Sequence, residues 1–239
     1  MKRIWIISFL LSILGAAGGY FIAIETFTTS ALPIPDRDVF TVVLTVQAAV
    51  LTLLFSWIGL ILQKRTDLTL IKKEKKQKGL LLSLWFGVLT GFLIQAGDAW
   101  VFPQIIPGLA DHSPTPSFAG LAGGVLYGGI VEEVMLRLFG MTLFIYLVGK
   151  VRKQRSVPDS YYWAAIILTS ILFAVAHLPA NAALFGELSL PVVFRALLLN
   201  SIGGLFFGYL YWKYGFWFSV WSHMTAHISM QLIFIPIFF

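Results

Sequence analysis

Seven long apolar runs dominate this sequence, at residues 4–24, 39–62, 79–96, 118–149, 161–178, 191–212 and 215–239. A helix of about 20 predominantly apolar residues crosses the hydrocarbon core of a bilayer. Seven such segments in one chain predict an all-α, polytopic bundle of about seven membrane helices. Composition agrees. Of 239 residues 58% are hydrophobic and only 12% are charged, whereas a soluble domain carries about a quarter charged residues. The longest polar stretch, residues 63–78, spans 16 residues and leaves no room for a soluble domain. One integral membrane domain over residues 1–239 is expected. It divides into a core at 79–239 and, at 1–78, two N-terminal helices with a basic loop.

Basic residues set the orientation, because cytoplasmic loops are enriched in Lys and Arg. With the N-terminus inside, the cytoplasmic face receives Lys2 and Arg3, seven basic residues in 64–78, four in 150–155, and Lys213. That is 14 of the 17 in the chain. The opposite face receives Arg37 with Glu25, Asp36, Asp38, Asp98, Asp111 and Glu187. The first run follows Lys2 and Arg3 as a signal peptide would. It exceeds a typical signal core and lacks a cleavage signature, so it reads as an uncleaved span. "KKEKKQK", residues 72–78, reads as a solvated cytoplasmic loop rather than a nucleic-acid site. The net charge of +6 thus points to topology and anionic lipid; the bilayer is an expected partner and nucleic acid is not. No cysteine is present. That removes disulfides, thiolate nucleophiles and Cys-type zinc sites, and leaves the redox compartment open.

The run at 118–149 departs from the pattern. Its 32 residues would make a straight helix of about 48 Å, against a core of about 30 Å. Two full crossings would move "KVRKQR" to the outer face, so one long, tilted or broken helix is expected. Gly120, Gly123, Gly124, Gly128 and Gly129 lie in its first half, where small residues permit close helix contact.

Inside that run sits "GGIVEEVMLR". An ionised side chain at the bilayer centre costs about 2.5–3.5 kcal/mol on insertion scales, and here there are three. Glu133 and Arg137 are four residues apart and can pair on one helix face. A structural ion pair accounts for them, but Glu132 points elsewhere and is left over. Three of the four histidines also lie in apolar runs: His177 in "FAVAH", and His223 and His227 in "HMTAH". Each alone is an ordinary packed histidine. The i, i+4 pair projects from one face, as metal-binding or acid/base pairs do. His112, in "DHSPTP", reads as incidental.

Several chemistries are excluded. There is no nucleophile elbow, no cysteine and no H-E-x-x-H helix, and "QAGD" around Asp98 lacks the aspartyl intramembrane protease pattern. A Glu/His constellation from three helices remains. It suits water activation, with the carboxylate taking the proton and histidines orienting water, binding metal or stabilising an oxyanion.

These stretches resemble the CPBP family of intramembrane proteases, which includes type II CAAX prenyl endopeptidases and bacteriocin-immunity (Abi) proteins. "EEVMLR" is similar to E-E-x-x-x-R, "FAVAH" to F-x-x-x-H, and "HMTAH" to H-x-x-x-N/D, in that order. "GGLFFGYLYWKYGFWFSVWSH" resembles the glycine-rich approach to the last motif. The likeness covers roughly residues 80–235. It implies a hydrolase with Glu132 as the water-activating base, and His177, His223 and His227 as its catalytic partners. Glu133, Arg137 and Phe173 would be supporting residues. His227 stands where the family usually has asparagine. A zinc site on His177, His223 and His227 and a metal-free site are both open. "RLFG" replaces the usual "RG", and "GKVRKQRSVPDS" lengthens the segment before His177.

The implied function is cleavage of a peptide or membrane-protein segment near the surface of a cell membrane, in a bacterium by the chain's compactness. The alternative is a non-catalytic binding or immunity protein, or a small transporter with a Glu/His relay. Internal pseudo-symmetry would favour transport, and the sequence shows none. Depth sets a further constraint. With straight helices starting at 161 and 215, His177 lies about 24 Å and His223 about 12 Å from the basic side. They converge only if those starts differ or the connection "LPANAALFGELSLP" is tucked in.

Overall fold

The computed structural model describes residues 1–30, 33–34, 36–110 and 113–239; Asp111 and His112 lie outside them. Regular structure among the described residues is entirely helical. We number the principal helices α1 (Lys2–Thr29), α2 (Arg37–Gln63), α3 (Lys76–Ala96), α4 (Phe118–Arg152), α5 (Asp159–Ala176), α6 (Leu178–Phe185), α7 (Leu190–Lys213) and α8 (Phe216–Ser229).

Six helical segments are long and apolar enough to cross a membrane. The seventh expected span, α8, continues as a π-turn over Met230–Phe234 and a last turn over Ile235–Phe238. It is not among the six. It carries His223, His227, Gln231 and three serines, which dilute its apolar character.

Burial is arranged as lipid demands. Phe9, Ile13, Val42, Val46, Trp85 and Leu172 face outward, while Ser8, Thr52, Ser56 and Ser83 are fully buried. Burial between apolar helices gains little in hydrocarbon, so close packing and interhelical hydrogen bonds hold the bundle. Ser12 Oγ donates to the Ala49 carbonyl at 2.9 Å and Ser83 Oγ to the Phe218 carbonyl at 2.8 Å. Between α5 and α7, Gly204 packs so tightly that a Cβ would come 2.6 Å from Ser170 Oγ.

The long run at 118–149 is one continuous helix. Its middle is π-wound over Gly124–Glu132 and again over Val134–Met141. Bonding i→i+5 makes a wider helix with a smaller rise per residue, so more residues fit the same depth. Winding takes up part of the excess length.

At the basic end the loop after α2 folds back instead of hanging in solvent. The amides of Phe216 and Trp217 donate to the Thr69 and Leu70 carbonyls at 3.0 and 3.2 Å, and Lys72 N–H donates to the Tyr214 carbonyl at 2.8 Å. Gly215 permits this turn with φ +120°. Arg155 Nε donates to the Thr66 carbonyl at 2.8 Å, bringing the two basic loops to the same end. The solvated part of "KKEKKQK" is residues 73–78.

Candidate active site

Glu133 and Arg137 form the expected pair: Nη1 lies 3.0 Å from Oε1, and both side chains are fully buried. Two further supports come from α7. Arg137 Nη2 donates to the Gly204 carbonyl at 3.0 Å. The Phe207 ring lies 5.6 Å from the guanidinium, and Phe173 of α5 lies 5.4 Å from it on another side. A desolvated cation between aromatic faces gains cation–π attraction. The pair is thus held from three helices.

Glu133 also reaches α8. His223 Nδ1 lies 2.9 Å from Oε1, which directs the Nε2 edge of that ring away from the pair. His177 is oriented in the same way, with Nδ1 2.9 Å from the Phe173 carbonyl. A carbonyl only accepts, so the His177 proton sits on Nδ1 and Nε2 is an acceptor in the neutral ring. Glu132 lies between the two Nε2 atoms, 3.9 Å from His177 and 3.7 Å from His223. Its side chain is 18% exposed, against 0% for Glu133.

α5 and α8 start close to the expected residues, at Asp159 and Phe216, so the two histidines meet through the way the helices pack rather than through shifted starts. α5 stops at Ala176, and His177 lays its ring against Phe173, with ring centres 4.5 Å apart. The following connection forms α6, whose Asn181 is buried and whose Phe185 packs beside Phe102 and Val192. Only Asn181 of this connection is buried; Pro179, Ala180, residues 186–188 and Leu190 are exposed, so the connection is not tucked in as a whole.

His227 stacks on His223, with centroids 5.2 Å apart and planes at 15°. Glycines of α4 make room for both rings. A Cβ on Gly124 would overlap His227 Nδ1, and one on Gly128 would lie 2.7 Å from His227 Nε2 and 3.0 Å from His223 Nε2. These glycines therefore admit imidazoles as well as a neighbouring backbone. Glu132, His177, His223 and His227 border one cavity of about 260 Å³, whose other walls include Tyr127, Phe173 and Asn200.

Zinc would need lone pairs converging on one point at about 2.0–2.1 Å. Nearly parallel stacked rings do not aim their in-plane lone pairs at a common point. Among the described residues no three His, Cys, Asp or Glu side chains are grouped to hold a metal. The three histidines share a cavity without forming a ligand set.

A family model, Type II CAAX prenyl endopeptidase Rce1-like, matches residues 114–229. Over this stretch the chain is similar to the Rce1-like endopeptidases. Every residue of the cavity's Glu/His cluster falls inside the matched stretch, and the matching family is one of proteases. With its apolar helices, the chain is a multi-pass membrane protein. No curated protein and no solved structure is matched.

One ionic cluster, joining the matched stretch to the segment before it, was not anticipated from the sequence. Arg195 of α7 makes a two-pronged pair with Asp98, beyond α3, and Nη1 donates to Asn181 of α6 at 2.9 Å. An arginine within an apolar run was the available signal. Its acid lies 97 residues away in the chain, where no local spacing can reveal it.

Proposed function

We propose that this chain is an intramembrane endopeptidase that hydrolyses a peptide bond with a water activated by Glu132. The observation that carries this reading is the placing of Glu132 between two histidine Nε2 atoms at 3.7 and 3.9 Å in a cavity walled by apolar side chains. Those separations exceed a direct hydrogen bond and suit a water bridging the groups.

Glu132 accepts a proton from the water as its oxygen bonds to the scissile carbonyl carbon. The same proton passes to the leaving nitrogen as the C–N bond breaks. His177, with Nε2 as acceptor, orients the water. His223 is fixed by Glu133, which is itself held by Arg137. His227 supplies the oxyanion donor. Its ring nitrogens have no hydrogen-bond partner among the described residues, and a neutral imidazole always keeps one N–H. This replaces the amide that the family usually carries at that position. The substrate is a peptide or a membrane-protein segment near the bilayer surface.

Peptide cleavage by purified protein, wild type beside Glu132→Gln, tests the reading. The near-isosteric glutamine cannot take the proton, so cleavage is lost while substrate still binds, and chelator leaves wild-type cleavage unchanged. Full cleavage by Glu132→Gln would reassign the cluster to binding or structure.

A further inference from the structure

A second cavity, of about 570 Å³, opens at the basic end of the molecule, away from the Glu/His cluster. Ile4 and Ile7 of α1, Leu60 of α2, Leu68 of the folded-back loop and Trp217 of α8 give it an apolar interior. Its rim is cationic. Arg3, Lys64, Lys73 and Arg155 border it, all four are exposed, and no aspartate or glutamate lines it. None of the four makes a salt bridge among the described residues. Arg155 spends Nε on the Thr66 carbonyl and keeps its two terminal nitrogens for another acceptor. Thr69 borders the same cavity, and its Oγ1 is buried without a partner.

Four like charges around one opening repel one another unless an anion joins them. An apolar interior beneath them calls for a hydrocarbon tail. The ligand that meets both demands is an anionic amphiphile, and the cavity lies where basic side chains meet a membrane surface. We propose that this cavity binds an anionic phospholipid, with the phosphate among Arg3, Lys64, Lys73 and Arg155 and an acyl chain along Ile4, Ile7 and Leu60. Arg155 and Trp217 lie in the stretch that matches the Rce1-like family and the other residues in the N-terminal helices and loop. The lipid therefore bridges the two parts of the chain. The inference does not depend on the peptidase reading.

The test uses the full chain in nanodiscs of phosphatidylglycerol or of phosphatidylcholine with the same acyl chains. Bound lipid is read by native mass spectrometry and stability by Tm. Wild type is expected to retain phosphatidylglycerol selectively and to melt higher in it. Combined Arg3→Gln, Lys64→Gln and Lys73→Gln should weaken retention by about fivefold per side chain. Lys75→Gln, Lys76→Gln and Lys78→Gln remove the same charge outside the cavity and should leave retention unchanged. Equal loss in both variants would reduce the effect to surface charge and overturn the proposal. So would an equal rise in Tm with inorganic phosphate alone. Should the first variant fail to fold, a phosphatidylglycerol with a photoactivatable acyl chain serves on wild type. Adducts are expected within residues 4–7 or 68–71, and adducts only on outward faces such as Phe9 and Val42 overturn the assignment.

Discussion

Glu132 and Glu133 are adjacent in the chain and meet opposite edges of the His223 ring. Glu133 is sealed between Arg137 and His223, whereas Glu132 borders the cavity. Their glutamine variants should therefore fail in different ways. Glu133→Gln leaves Arg137 as a buried cation without its counter-charge, a loss of about 3–5 kcal/mol, read as a lower Tm and yield in detergent. Glu132→Gln should melt like wild type and be inactive; equal melting of the two variants would refute the division. His227 offers a second separation. His227→Asn keeps an N–H donor and should retain most cleavage. His227→Ala removes it and should lose about 10²–10³-fold in kcat, the cost of one oxyanion donor. Loss of all activity in His227→Asn would point instead to a need for the imidazole. The i, i+4 spacing made the Glu133–Arg137 pair legible in the sequence. The Gly204 carbonyl and the Phe207 face, 67 and 70 positions beyond Arg137, were not, because they are contacts between helices rather than along one.

At the scale of the element, α4 brings the acids to the histidines by its winding. Its existence and length follow from the apolar run, but an almost uniformly apolar run has no periodicity from which a change of helical pitch can be read. The π-winding over Gly124–Glu132 was therefore invisible, although it sets which way Glu132 faces. The glycines on its cavity side make this testable. Gly128→Ala places a methyl 2.7 Å from His227 Nε2 and 3.0 Å from His223 Nε2, and both rings are pinned by stacking against each other. Displacing them by about 1 Å is expected to cost about a hundredfold in kcat/KM with little change in Tm. Gly108→Ala is the control, because its Cβ would meet only Phe185 Cδ1, at an ordinary 3.9 Å. Equal activity in the two variants would mean that the histidine positions are not critical. The end of α5 was legible only in part: the contact of His177 with Phe173 is local, four residues back, but the approach of His177 to Glu132 is a contact between helices.

For the whole molecule, the distribution of basic residues predicts sidedness, and the bond from Arg155 to the Thr66 carbonyl places both basic loops at one end. The chain has no cysteine, so single-cysteine variants can be labelled without background. In oriented vesicles, Lys75→Cys and Lys153→Cys should react from the cytoplasmic side and Ser113→Cys from the other; labelling of positions 75 and 153 from opposite sides would overturn this arrangement. The folded-back loop has a separate consequence. Residues 69–72 hold the turn between α7 and α8 through three main-chain hydrogen bonds, while Lys73, Lys75, Lys76 and Lys78 just beyond them are exposed. Trypsin should cut there first, where few contacts are lost. The clipped protein should give two bands on a denaturing gel, elute as a single particle and go on cleaving its substrate. The covalent link between the N-terminal hairpin and the rest is then dispensable once folding is complete, and the two pieces made separately should find each other in a membrane.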